Sequence, residues 1–169
     1  EGNDDHVVLS SRVRLARNVN GRTFPGRAKK EDRVETCGLI QPAVSGLSAM
    51  RGGYSESMAN LKALEKQLLV ERHHISREHA AKSAGSALVI NKEQTICVMI
   101  NEEDHLRMQA LIPGLQLKQA WQKIDRIDTS LEKKLEYAFD DRLGYLTACP
   151  TNLGTGIRVS AMLHMPGLV

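Results

Sequence analysis

Apolar and polar positions alternate first near the amino end, where a short strand signal over His6 to Leu9 runs into SSRVRLARN. On a strand, Arg12 and Arg14 share one face while Val13 and Leu15 take the other. Asn18 to Arg33, with Asn-Gly, Pro-Gly and many charges, reads as a loop, and the Gly-, Ser- and Pro-rich Leu39 to Gly53 as a linker or mobile excursion. From Ser55 to about His73, Met58, Leu61, Leu64, Leu68 and Leu69 recur at helical spacing, with Ser55 or Ser57 available as a cap. Ser86 to Asn91 and Thr95 to Ile100, separated by NKEQ, predict a β-hairpin. Asn101 to Asp104 admits two readings, a turn before a strand through Leu106 to Leu111 or a helix start capped by Asn101. The longest helix signal is Leu115 to Phe139, through Leu117, Ala120, Trp121, Ile124, Ile127, Leu131, Leu135 and Ala138. Gly144 to Ala148 reads as a short strand, and CPTNLGTG as a loop whose Gly154 and Gly156 permit close backbone approach to a ligand. Tight turns between strands, with helices interspersed but not strictly alternating, predict an α+β fold with a largely antiparallel sheet covered by helices on one face.

Length and composition narrow the class. A chain of 169 residues suits one domain, 1–169, with a real core. Its hydrophobic fraction of 41% and charged fraction of 25% are those of a globular protein, and no apolar run is long enough to span a bilayer. The opening EGNDDHVVLSS lacks the basic and apolar stretches of a secretion signal, so a cytoplasmic protein without a membrane partner is the expectation. A net charge of +3 argues against nucleic acid as a partner. Cys37, Cys97 and Cys149 are odd in number and lack CxxC spacing, which favours reduced thiols over disulfides or a zinc site.

Three clusters carry candidate chemistry. Arginines crowded on one strand face would cradle a polyphosphate, because a guanidinium is a planar fork of donors that stays charged at physiological pH; a solvated edge strand is the alternative. The acidic run Asn101 to His105 follows an apolar strand, where a carboxylate can serve as a general base, although an ordinary charged turn has the same composition. Thr151 to Gly156 is glycine-rich but lacks the Lys and Ser or Thr of a P-loop. His73, His74 and His79 lack helical pair spacing and read as a surface cluster rather than a metal site.

Taken in order, VLSSRVRLARN (Val8 to Asn18), NEEDHLRMQ (Asn101 to Gln109) and GYLTACPTNLGTGIR (Gly144 to Arg158) resemble the signature blocks of the creatine and arginine kinase superfamily, the ATP:guanidino phosphotransferases. LLVERHHIS around His73 resembles a further family segment. The resemblance implies a guanidino kinase/glutamine synthetase-like catalytic domain that transfers the γ-phosphoryl of MgATP to a guanidinium, with Mg²⁺ held mainly through the nucleotide. It implies ATP contacts from Ser10, Ser11, Arg12, Val13, Arg14, His73, Arg107 and Arg158, continuing through Val159, Ser160, Ala161 and Met162. Glu103 matches the carboxylate that holds the guanidinium and takes its proton. Cys149 matches a cysteine that modulates the substrate site.

SSRVRLARN and VMINEEDH resemble bacterial protein-arginine kinases more than small-molecule phosphagen kinases, with Met99 where creatine kinases have tryptophan. Arginine-containing proteins are then the expected substrates. The alternatives are a phosphagen kinase for free arginine or another small guanidino compound, and a catalytically incomplete nucleotide-binding module. The family's later phosphate loop and second substrate carboxylate do not occur here, so a partial catalytic domain ending inside its sheet is expected. An unpaired edge of that kind favours association, and a homodimer is the expected assembly.

Overall fold

A computed structural model of the chain describes residues 7–165 and Gly167. The amino-terminal alternation becomes β1 (Val8–Arg17), which lies between β5 (Leu106–Pro113) and β8 (Ile157–Leu163), antiparallel to both. The expected hairpin is β3 (Ala87–Ile90) and β4 (Ile96–Ile100), and β2 (Tyr54–Ser57) pairs with β3. The result is a six-stranded antiparallel sheet in the order β2-β3-β4-β5-β1-β8. His6, and part of the HMPGLV end expected to lie in the sheet, fall outside the described residues.

Strand alternation sorts side chains between the two faces. Val13, Leu15, Val89, Val98, Met108 and Ala110 turn to one face, against Ile40 and Val44 of α1 (Lys30–Ser45) and Ala120, Ile124, Ile127 and Leu131 of α4 (Leu117–Glu132). Truncating one such side chain, Ile124→Ala, costs about 2–5 kcal/mol. Leu88, Ile90, Cys97 and Met99 turn to the other face, beneath Met58, Ile75 and partly buried Leu61, Leu69 and Val70. These come from the segment carrying α2 (Ala63–Glu71) and α3 (Arg77–Ala80). α2, expected on the same face as α4, therefore packs on the opposite one. β3 and β4 are buried along their whole length, and such strands need cover on both sides.

Other boundaries moved for local reasons. Lys30 to Ser45 is a helix, where the composition predicts a loop at its start and a linker at its end. Gly38 and Pro42 hide the signal, but Thr36, Cys37, Ile40 and Val44 are buried at helical spacing. Ser55 and Ser57 belong to β2 and not to a cap; α2 starts after Lys62, whose N–H the Glu65 side chain accepts at 2.7 Å. α4 stops at Glu132, and Phe139 lies in β6 (Phe139–Asp140), paired with β7 (Gly144–Tyr145). Asn101 to His105 is a turn. Asn101 sits at φ 56°, donates to the carbonyls of Arg33 and Gly85, and closes the turn through its N–H to His105 O at 3.0 Å.

Candidate active site

The bare part of the second face, beyond the cover of α2 and α3, is where the arginines gather. Arg14 stands opposite Arg158 on β8 and Gln109 on β5, Arg12 opposite Ser160, and Arg107 opposite Ala16. Arg12 Nε donates to Ser160 Oγ at 3.4 Å. Burial, then Arg12, Arg107 and Arg158, push the Arg14 guanidinium down to about 10. Burial, then Arg107 and Arg158, lower Arg12 as well. Arg14 Nε is buried without a hydrogen-bond partner. Four mutually repelling cations with an orphaned donor form a site that an oligophosphate would neutralise.

Alternation also decides which sequence candidates reach this face. Ser10, Ser160 and Met162 share it with the arginines by register. Ser11 and Val13 do not: Ser11 Oγ donates to Gly114 O and accepts from Gln116 N, both at 2.8 Å, and Val13 is in the core. Val159 and Ala161, paired with Val13 and Ser11, take that opposite side too. Arg17, third of the amino-terminal arginines, is buried. It pairs with Asp128 at 2.7 Å and stacks 3.6 Å from the Tyr145 ring centroid, so it braces the fold.

His73 follows α2 in a left-handed conformation, φ 59°. Its N–H bonds Val70 O and the next N–H bonds Leu69 O, closing the helix end. Gln109 Nε2, beside Arg14 in register, donates to the carbonyls of His73 and His74 at 2.7 and 2.9 Å. The helix end is thereby held against the arginine face. His74 and His79 are buried, not on the surface as expected.

Four side chains of the NEEDH turn are committed to the scaffold. Asn101 anchors the turn as described. Glu102 is buried and accepts two hydrogen bonds from Arg107 Nη1, at 2.8 and 2.7 Å, and one from Ser76 Oγ at 2.5 Å. Burial pushes its carboxyl up, but Ser76 and Arg107 more than offset this and hold it below the usual range. Asp104 Oδ1 accepts from Asn18 Nδ2 at 2.6 Å and Ala148 N at 2.7 Å. His105 accepts Val19 N–H at Nδ1, so its Nε2 carries the proton donated to Thr23 O at 3.1 Å. Glu103 is exposed, and its side chain makes no hydrogen bond among the described residues.

That uncommitted carboxylate lines a cleft of about 70 Å³ with Arg14, Arg107, Arg158, Cys149 and Thr151. The Cys149 thiol lies 3.0 Å from Thr151 Oγ1. Gly156, at φ 66°, lets the loop press on β1: a Cβ there would meet Ala16 O at 2.5 Å. Sequence reasoning gave no individual role to Glu102, Ser76, Asp104 or Gln109, and it named Thr151 only as the start of a glycine-rich loop. Only the density of polar residues in the NEEDH run hinted at the first and third.

The sequence profile of the ATP:guanido phosphotransferase C-terminal catalytic domain matches residues 39–169. Two proteins named protein-arginine kinase are similar across the chain. That of Pelotomaculum thermopropionicum is 44% identical, covering 99% of this chain and 48% of its own, and that of Halothermothrix orenii is 46% identical with the same coverages. The chain thus spans about half the length of these relatives. The substrate-free duplicated taurocyamine kinase of Schistosoma mansoni superposes with a TM-score of 0.87 at 32% identity, covering 98% of this chain and 26% of that one. Among the described residues no helix is long and apolar enough to cross a membrane.

Proposed function

Because the chain belongs to the ATP:guanido phosphotransferase family, we propose that residues 1–169 are part of one catalytic domain of a cytoplasmic protein-arginine kinase, moving the γ-phosphoryl of ATP to arginine side chains of proteins. The observation that carries the reading is the cleft in which the free carboxylate of Glu103 meets Arg14, Arg107 and Arg158. Relatives 44% and 46% identical bear the name protein-arginine kinase, which supports a protein acceptor.

In this reading Arg12, Arg14, Arg107 and Arg158 bind the phosphates, with Ser10, Ser160 and Met162 beside them and His73 at the nucleotide's edge. Ser11, Val13, Val159 and Ala161, on the opposite side, contribute by holding β1 and β8 in register beneath the arginines. The uncommitted Arg14 Nε and the shared repulsion of the cluster fit a triphosphate. Guanidinium donors cannot ligate a cation, so Mg²⁺ would be held mainly by phosphate oxygens and add positive charge along the triphosphate. Glu103 receives the substrate guanidinium as a carboxylate fork and orients one nitrogen towards the γ-phosphorus. The new P–N bond forms as the bond to the β-phosphate oxygen breaks, ADP leaves, and Glu103 takes the nitrogen's proton. Cys149, beside the same cleft, tunes the guanidinium site without forming a covalent bond to substrate.

The test is phosphoarginine formation by the full-length protein with MgATP, followed by phosphorus NMR on a protein acceptor and on free arginine. Transfer to the protein is expected. Transfer to free arginine alone would move the function to the small-guanidine kinases that the taurocyamine kinase likeness represents. ATP binding without transfer to either acceptor would leave only a nucleotide-binding module.

A further inference from the structure

One row of register partners, Arg14, Gln109, Cys97, Ile90 and Tyr54, runs from β1 to the β2 edge on the second face of the sheet. His73 and His74 cross this row at its middle. Gln109 donates to both their carbonyls, and Cys97 Sγ donates to His74 O at 2.9 Å. They form a ridge with the arginine face on one side. On the other lies a cavity of about 460 Å³ between α2 and the β2–β3 edge.

The cavity has a divided chemistry. Tyr54, Leu61, Leu68, Leu69 and Ile90 supply apolar lining. Of its polar residues, Gln94 is neutral, Asn91 is consumed by Glu93, Thr95 and the Ile96 N–H, and Glu65 is an exposed carboxylate that accepts the Lys62 N–H and keeps its charge. Burial holds the His74 imidazole below its usual value, which favours the neutral ring. Arg72 and Lys92 remain, both exposed and, among the described residues, without a side-chain hydrogen bond or ion pair. An apolar pocket whose rim carries two unpaired cations against the single carboxylate of Glu65 is net positive, and so selects a ligand with an apolar body and an anionic head.

We propose that this cavity is a second ligand site, separate from the arginine face, for a small amphipathic anion: an aromatic or alkyl body carrying a carboxylate or phosphate. The body lies on Tyr54, Leu69 and Ile90, and the head reaches Arg72 and Lys92. The site does not depend on the kinase reading, because none of its lining residues belongs to the arginine cleft.

The probe is naphthalene-2-carboxylate, titrated into the full-length protein by ligand-observed NMR beside its neutral carboxamide, with and without saturating MgATP. Saturable binding is expected, about tenfold tighter for the carboxylate than for the carboxamide and retained when MgATP is present. Arg72→Gln with Lys92→Gln should erase the preference for the anion. Leu68→Trp, at an exposed lining position, should block both probes, and circular dichroism checks that each variant is folded. Equal affinity for acid and amide, displacement by MgATP, or undiminished binding to Leu68→Trp would each overturn the proposal. So would the absence of saturable binding.

Discussion

Arg14 on β1 and Arg158 on β8 are direct cross-strand partners on one face of the sheet, two cations where a stable ladder would place opposite charges. Arg12 and Arg107 add to the repulsion. The ligand-free sheet is therefore less stable than its backbone pairing allows, and a bound polyphosphate removes the conflict. Arg14→Gln is expected to raise the stability of the ligand-free protein by about 0.5 kcal/mol in urea unfolding, and to weaken ATP binding by about tenfold or more. A variant that loses stability without ligand, or binds ATP as the wild type does, contradicts this account.

Glu103→Gln keeps the shape of the side chain but removes the charge and the basicity. Glu103 makes no side-chain hydrogen bond among the described residues, so the fold should not register the change. Phosphoryl transfer to arginine should fall by about a hundredfold or more, with ATP affinity nearly intact. Wild-type turnover by this variant would remove Glu103 from its assigned role. A parallel loss of ATP binding would place it on the phosphates instead.

The strands around the site were legible because their alternation is strict: Arg12 and Arg14 opposite Val13 and Leu15 is a pattern that only one pleat satisfies. The same rule, applied to the neighbouring positions, separates Ser11, Val13, Val159 and Ala161 from the arginine face; the family resemblance groups whole segments and carries no such division. α1 was illegible because Gly38 and Pro42 imitate a linker while the buried stripe through Ile40 and Val44 is narrow. Met58 misled in the opposite way. It is buried between β2 and α2, and its helical spacing to Leu61 and Leu64 is accidental. The pairing of Glu102 with Arg107 and Ser76 depends on the fold of the turn, which neighbours in sequence do not encode.

Asp104 fixes the distance between Glu103 and the Cys149 loop, since one carboxylate oxygen accepts from Asn18 on the β1 side and from Ala148 beside Cys149. Asp104→Ala leaves one hydrogen of the buried Asn18 amide without its acceptor, the other still reaching Leu146 O, and frees the Ala148 N–H, and is expected to cost about 1–2 kcal/mol in urea unfolding. Alkylation of Cys149 should become faster as its loop loosens. Asp104→Asn retains an acceptor oxygen and should lose less on both counts. Unchanged Cys149 alkylation in Asp104→Ala would show that the loop is held by other contacts.

His79 sets a specific acid sensitivity. Its Nε2 donates to Ala87 O at 3.1 Å, while the buried Nδ1 has no partner, so protonation would add a donor with nothing to receive it. Burial pushes the imidazole down to about 4 from its usual 6.5, although Ala87 O and Glu102 pull it upward. Between those values the unfolded chain takes a proton that the folded chain refuses, so stability is full above 6.5 and lost as pH falls towards 4. Below 4 both states carry the proton and this loss stops. Burial lowers His74 and His105 in the same direction, but both remain in a His79→Gln variant and cancel in the comparison. Urea unfolding at neutral pH and near pH 5 should show the wild type losing about 2 kcal/mol more than His79→Gln. Parallel losses in the two proteins would mean that His79 takes up its proton as readily in the folded protein as in the unfolded chain, and that the Nδ1 site is hydrated instead of closed.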